Sequence, residues 1–318
     1  MPKASSNPTP SKKTTRAASR RPRKPALTAR TADKFRLYEL SVQDPDFEVR
    51  LIDKAFASRG RQAQTLREDF CGSALLCSRW VASSSARRAT GIDLDPEVLA
   101  WGRKHNLDPM GDDARRIRLL EQDVREVVAP RHDVTAALNF SYWVFKTREA
   151  LREYFVQARR GLKRDGLFIL DAYGGWESQE PMFEPRRVKP GFTYVWDQDA
   201  FDPISHDVLN HIHFEFKDGS KLNRAFSYDW RFWSLVEIRE LLHEAGFAHV
   251  EVWWDDSDDD DDPKYRPRKH ATNQPGWIAY LFASPTIPDD RVRAQRSLGA
   301  RHRGAVRAGR TRASTHSR

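Results

Sequence analysis

From residue 66 to residue 173, short apolar runs alternate with amphipathic helical ones, and this rhythm leaves the chain few folds to adopt. LRED (66–69), ATGIDL (89–94), IRLLEQDV (117–124), DVTAALNF (133–140) and GLFILDAY (166–173) have strand length and apolar content. Between them SALLCSRWVA (73–82), PEVLAWGRKHN (96–106) and the stretch from Thr147 to Leu162 read as helices. Pro96 suits a first helical turn. Leu151, Tyr154, Phe155, Ala158 and Leu162 fall on one apolar stripe, and KRDG (163–166) is expected to stop that helix. Alternation of this kind predicts a parallel sheet with helices on both faces. Right-handed crossovers then bring the C-terminal ends of the strands to one edge, where ligands bind.

Two helical patterns precede this region, ADKFRLYELSVQ and DPDFEVRLIDKAFASR. After it the rhythm breaks. FTYVWDQ, HDVLNHIHFEF and KLNRAFSYDW are strand-like, with KDG (217–219) as a turn, so residues from about 190 to 230 predict an antiparallel insertion. SLVEIRELLHEAGF (234–247) is a helix with a capping-box pair, Ser234 and Glu237, and a C-terminal stop, Gly246. HVEVWW (249–254) and GWIAYLFAS (276–284) are the last two strands, flanking a polar loop with the run Asp255–Asp262. That run lacks the alternating ligands and glycine of a calcium loop and reads as solvated.

Charge divides the chain into three parts. The net charge is +9, yet residues 1–31 and 291–318 each hold nine basic residues and no acid, leaving −9 on residues 32–290. A body at 32–286 is therefore expected between disordered basic tails at 1–31 and 287–318. The tails suit weak, nonspecific contact with nucleic acid or another polyanion. The acidic body does not favour nucleic acid. No run approaches the ~18 apolar residues of a membrane span, and no apolar signal-peptide core opens the sequence. Cys71 and Cys77 are about 9 Å apart along a helix, too far for a disulfide. A cytoplasmic protein is expected.

The chemistry centres on LREDFCGSALLC, Leu66 to Cys77. A strand, a tight turn and a helix place Gly72 where backbone approaches a ligand. Asp93 ends the next strand 21 positions later, the spacing at which a carboxylate accepts from both hydroxyls of a ribose. A pyrophosphate cofactor such as NAD needs more glycines than this loop has, since Phe70 and Ala74 stand where they would be. S-adenosylmethionine has no phosphate and carries a sulfonium and an ammonium. The acids Glu68 and Asp69 suit that cation, so an NAD-dependent oxidoreductase is the disfavoured reading.

The segments LREDFCGSALL, ATGIDLDPEVLAWGRKHN, EQDVREV, HDVTAALNFSYWVF and GLKRDGLFILDAYGG occur in the order of a class I S-adenosylmethionine-dependent methyltransferase, which the chain resembles over residues 35–284. The resemblance is nearest to a subgroup with a DFCG loop and an antiparallel insertion after strand five, as in small-molecule N-methyltransferases. It implies an α/β, Rossmann-like, seven-stranded, mostly parallel sheet with helices on both faces and an antiparallel last strand. It also implies S-adenosylmethionine as cofactor. Matched position by position, Glu68 is the acid serving the methionine amino group, and Phe70, Cys71 and Gly72 form the loop under the methionyl part. Asp93 binds ribose, with Leu94 beside the adenine. Asp123 accepts from the adenine amino group, with Val124 beside it, and Asn139 and Phe140 lie where cofactor and acceptor meet. Phe70 departs from the family's usual glycine.

Other candidates are weaker. Cys71 has no nearby histidine to act as a base and reads as a small loop residue. His211 and His213 share a strand face but have no third ligand, so no metal is expected. Tyr228, Trp230, Phe232 and Trp233 suit core packing and a substrate lid equally. Tyr38, Tyr142, Tyr173, Trp196 and Arg224 are the candidate acceptor-pocket walls, with Arg224 suited to a substrate carboxylate. The expected reaction is methyl transfer to a small molecule. The rival from another class is an RNA- or protein-directed methyltransferase, or a nucleic-acid-associated binding module, that uses the tails. Neither the catalytic base nor the oligomeric state is legible.

Overall fold

The computed structural model describes residues 27–257 and 263–288. The expected tails, apart from their inner ends, and residues 258–262 of the acidic run lie outside the described residues.

The described chain opens with α1 (Lys34–Val42) and α2 (Pro45–Ser58). Asp33 caps α1 by accepting from the backbone N–H of Phe35 at 3.0 Å and of Arg36 at 3.2 Å. Asp44 caps α2 through Phe47 at 3.0 Å, ahead of a proline in the first turn. Next come β1 (Thr65–Asp69), α3 (Leu75–Ala82), β2 (Arg88–Asp93) and α4 (Pro96–Gly102), whose last turn widens to a π-type turn at Arg103–Leu107. They are followed by β3 (Ile117–Glu121), β4 (His132–Ala137), α5 (Arg148–Arg160) and β5 (Leu162–Gly174). A second set of strands comprises β6 (Met182–Val188), β7 (Phe192–Phe201), β8 (Asp207–Phe216) and β9 (Lys221–Arg231). The described chain closes with α6 (Leu235–Glu244), β10 (His249–Asp255), β11 (Tyr265–Arg268) and β12 (Trp277–Ser284).

The main sheet has eight strands in the order β11-β10-β12-β5-β4-β1-β2-β3. The five strands from β5 to β3 are parallel, and β12 runs antiparallel between β5 and β10. The seven expected strands are all present. The eighth, β11, pairs antiparallel with β10 and has the sequence YRPR, too short and polar to signal itself. Alternate residues of the strands feed two cores. Leu66, Val134, Leu167 and Ile169 pack with Phe56, Cys77 and Trp80 of α2 and α3. Ala137, Phe168 and Leu170 pack on the other face with Tyr154, Phe155 and Leu241 of α5 and α6. The α5 stripe is buried as its spacing predicts, except that Leu162 begins β5. KRDG therefore does not stop the helix: the helix ends at Arg160, and KRDG forms the start of the strand.

The insertion is a four-stranded antiparallel sheet, β6-β7-β8-β9. The strand missing from the sequence reading is β6, MFEPRRV, which is exposed along most of its length and so lacks an alternating pattern. Helix α1 packs on this sheet: Leu37 is buried with Phe192, Ile212 and Phe214, and the rings of Tyr38 and Phe226 are 5.0 Å apart. The capping box of α6 is complete, Ser234 Oγ accepting from Glu237 N at 3.2 Å and Glu237 Oε2 from Ser234 N at 3.0 Å. Among the described residues no helix is long and apolar enough to cross a membrane.

Candidate active site

The turn after β1 is built from left-handed backbone. Phe70, Gly72 and Ala74 have φ of 57°, 51° and 56°. The first value accounts for the glycine usual at that position, because the left-handed region is strained for a side chain. Phe70 is held there by packing: its ring meets Tyr154 edge-on at 5.7 Å and Phe145 at 6.0 Å. Cys71 N–H donates to Ile92 O at 2.9 Å, and Gly72 N–H to Asp93 Oδ2 at 2.7 Å. Behind the turn, a Cβ on Gly91 would come within 2.8 Å of Cys71 Sγ, and one on Gly102 within 2.3 Å of Ser73 O. Both cysteines are buried and free, and burial pushes both thiols well above their usual range, as expected of packing residues.

Helix α1 fastens this turn from the opposite side. Glu39 is buried; its Oε1 accepts from Ser73 Oγ at 2.8 Å and from Asn106 Nδ2 at 2.6 Å, and its Oε2 pairs with Arg36 at 2.8 Å. Asn106 reaches Glu39 from the π-type turn. Sequence reasoning missed both residues, since neither belongs to a local pattern.

Carboxylates gather around the strand ends. Glu68 is buried and accepts from Cys77 N–H at 3.0 Å, in the first turn of α3 where Ala74 supplies no side-chain cap. Burial raises its pKa to about 8. Glu48 of α2 is buried too, and burial with the nearby charges of Glu68 and Asp171 holds it well above the usual carboxylate range. Sequence reasoning missed Glu48 as well; it looks like an ordinary first-turn acid. Asp171 of β5 is pushed up to about 7 by burial, and it accepts from Asn139 N–H at 2.8 Å and Phe140 N–H at 2.9 Å. These bonds fix two further left-handed residues, Asn139 and Phe140, at φ of 56° and 58°. Buried acids raised in this way lack a counter-charge, and a bound cation would supply it.

The rim is more open. Asp93 Oδ1 accepts from Asp95 N–H at 3.0 Å, leaving its partly exposed carboxylate further acceptor positions. Leu94 beside it is 66% exposed, an apolar shelf on the rim. Asp123 is held by Arg125, Nη2 to Oδ2 at 2.7 Å, and these hydrogen bonds keep its pKa low. Val124 is buried below it, and its carbonyl accepts from Arg67 at 2.6 Å.

Beside this cradle lies a cavity of about 700 Å³ between the main sheet, α1 and the small sheet. It shares Asn139 and Phe140 with the cradle, and Tyr38, Tyr173 and Trp196 stand in its wall. Tyr142 and Arg224 do not. Tyr142 is fully buried and donates to Asp171 O at 2.8 Å. Arg224 is largely exposed, 3.4 Å from Asp199, and is not among the lining residues. Tyr228 and Trp230 line the cavity, whereas Phe232 and Trp233 are buried in the core. His213 Nδ1 accepts from Arg224 N–H at 3.1 Å, so Nε2 donates to Asp197 at 3.0 Å; His211 bonds Ser227 at 2.7 Å. Among the described residues no group of three metal-ligating side chains converges.

A family model described as a methyltransferase domain matches residues 69–170, the stretch from the end of β1 into β5. The chain carries a methyltransferase domain. Solved methyltransferases share the surrounding fold. One is an S-adenosylmethionine-dependent methyltransferase from Clostridium acetobutylicum, 16% identical, with TM-score 0.61, covering 79% of this chain and 98% of its own. Another is CalS10, an S-adenosylmethionine-bound amino pentose methyltransferase from Micromonospora echinaspora, 14% identical, with TM-score 0.56 and coverages of 78% and 95%. A third is the sugar N-methyltransferase KedS8 from Streptoalloteichus, 14% identical, with TM-score 0.55 and coverages of 86% and 99%. No curated protein matches the sequence. The matched stretch takes in Phe70 through Phe140 but not Glu39, Glu48, Glu68, Asp171 or the small sheet.

Proposed function

We propose that the protein transfers a methyl group from S-adenosylmethionine to a small molecule held in the cavity. The observation that carries this reading is the junction at Asn139 and Phe140. There a cradle of buried acids adjoins a cavity rich in aromatic rings. When bound, S-adenosylmethionine supplies an electrophilic methyl group on a positive sulfur. Asp93 would hold the ribose hydroxyls, Leu94 and Val124 the adenine, and Asp123 its amino group while keeping its bond to Arg125. Phe70, Cys71 and Gly72 shape the methionyl site. Glu68, with Glu48 nearby, would give up its proton beside a cationic ligand and so supply the negative charge that ligand needs.

The chain's own residues then contribute position rather than covalent chemistry. An in-line displacement gains most from holding its two reactants end to end. Asp171 fixes the Asn139–Phe140 backbone between the two sites, so that shared wall sets their separation. Rings at Tyr173, Trp196 and Trp230 line the acceptor side. The small-molecule reading draws support from the cavity's size and from two structural neighbours, the amino pentose methyltransferase CalS10 and the sugar N-methyltransferase KedS8. Incubating the purified chain with methyl-labelled S-adenosylmethionine and a fractionated cell extract tests it. Label is expected in a small-molecule fraction; label confined to RNA or protein would contradict the reading.

A further inference from the structure

The charges of the acidic body are unevenly placed. Asp93, Asp95, Glu97, Glu121 and Asp123 stand at or just beyond the C-terminal ends of β2 and β3, on the cofactor side. The opposite edge, where the parallel strands begin, is basic. Arg88 opens β2, Arg131 precedes β4, Arg160 ends α5 and Arg164 lies near the start of β5. All four are exposed and take part in no ion pair among the described residues. The acids near this edge are already neutralised: Asp133 pairs with Lys163 at 3.0 Å, Asp165 with Arg61 at 3.0 Å, and Asp53 with Arg87. The described chain also ends here, where Thr286 Oγ1 donates to Arg164 O at 3.4 Å. Beyond Asp289 and Asp290 the sequence of residues 291–318 holds nine arginines, no lysine and no acid.

Neighbouring strands lie about 4.8 Å apart, so the three strand steps from Arg164 on β5 to Arg88 on β2 span about 14 Å. That is close to the ~12 Å width of a duplex major groove. Guanidinium forks grip phosphate oxygens two at a time, which suits arginine to a phosphodiester backbone. Single strands are held instead by stacking their bases on exposed rings. Among the described residues the exposed Phe, Tyr and Trp side chains are Trp176 and Phe183, and both lie beyond the C-terminal end of β5, away from this edge. We propose that the basic edge binds the phosphate backbone of duplex nucleic acid without reading its sequence, as a tether and not as the methyl acceptor. Tyr173, in the cavity wall, lies nine residues along β5 from Arg164 (164 to 173), about 30 Å at 3.3 Å per residue. The acids on the cofactor side repel a polyanion, so a bound duplex leaves the cavity to its own ligand.

The test is fluorescence anisotropy of a labelled DNA duplex of about 20 base pairs, titrated with the full chain at several salt concentrations. Two unrelated sequences are expected to bind alike, and both to weaken steeply as salt rises. In Arg88→Gln/Arg131→Gln/Arg164→Gln the affinity should fall by about tenfold or more. The slope of log affinity against log salt should shrink by about 2.7, at about 0.9 per lost phosphate contact. Arg187→Gln/Lys189→Gln/Arg224→Gln removes the same charge from exposed positions of the small sheet and should leave both quantities unchanged. In the unsubstituted chain, where no variant has to fold, the duplex should shield Arg88, Arg131 and Arg164 from phenylglyoxal while Arg187 and Arg224 stay reactive. Equal losses in the two triple variants, no loss in the first, unshielded arginines at this edge, or tighter binding to phosphatidylserine vesicles than to the duplex would overturn the inference. Binding of S-adenosylhomocysteine should be the same with and without duplex. Competition between the two would put the nucleic acid on the cofactor side and overturn it as well.

Discussion

Arg67 and Asp69, two residues apart on β1, form an ion pair of 2.6 Å with both side chains buried. The guanidinium also donates to the carbonyls of Val124 and Val127, and Tyr154 donates to Asp69 at 2.8 Å. The pair thus ties the strand that leads into the Phe70 turn to the segment beside Asp123. Breaking a buried pair on one side leaves an unpaired charge, which costs about 3–5 kcal/mol, whereas replacing both partners by apolar residues is often neutral. Arg67→Met is therefore expected to unfold at much lower denaturant than the double variant Arg67→Met/Asp69→Leu. The double variant should regain most stability yet bind S-adenosylhomocysteine less tightly, because Val124 and Val127 lose their anchor. Equilibrium urea unfolding and calorimetry check the two halves. Equal stability of the single and double variants would refute the coupling.

The backbone at Phe70 gives a prediction that runs against side-chain size. At φ 57° any residue with a Cβ is strained, by about 1 kcal/mol relative to glycine. Phe70→Ala and Phe70→Gly both lose the ring contacts with Tyr154 and Phe145. The glycine variant is nevertheless expected to be the more stable of the two by about 1 kcal/mol in urea unfolding. An alanine variant as stable as the glycine variant would remove the strain argument.

Glu68 gives stability a pH dependence. Its pKa rises from 4.5 unfolded to about 8 folded, with burial as the main cause. The folded state thus holds the proton more tightly. Its contribution is complete below about pH 4.5, declines as pH rises, and is lost above about pH 8. Glu68→Gln keeps an oxygen to accept from Cys77 N–H but carries no charge. Its stability relative to the unsubstituted protein should therefore improve between pH 6 and pH 9, by on the order of a few kcal/mol. Thermal melts of both cofactor-free proteins at the two pH values measure this. An unchanged difference would mean that Glu68 titrates as an exposed acid does.

Seven of the main sheet's eight strands were legible because each carries its own signal. β4, buried along its whole length, is marked by the short run VTAAL (134–138), and α5 shows its buried stripe. Polar elements were not legible. β6 and β11 are held by neighbouring strands rather than by an apolar face of their own. Within the site, Asp93 could be placed from its spacing to Gly72, and Gly72 N–H does reach its carboxylate at 2.7 Å. Glu39, Glu48 and Asn106 could not, because they join the site only when α1, α2 and the π-type turn fold over the loop. Tyr142 failed as a pocket residue for a physical reason: after the left-handed Phe140, the short helical turn Ser141–Val144 points its ring into the core.

Calorimetric titration of the full chain with S-adenosylhomocysteine, repeated with Asp93→Ala, tests the central claim most directly. The account predicts saturable binding, weakened in the variant by about 1–3 kcal/mol as for a lost charged hydrogen bond, and no comparable binding of NAD. Tight binding of NAD with none of S-adenosylhomocysteine would contradict it.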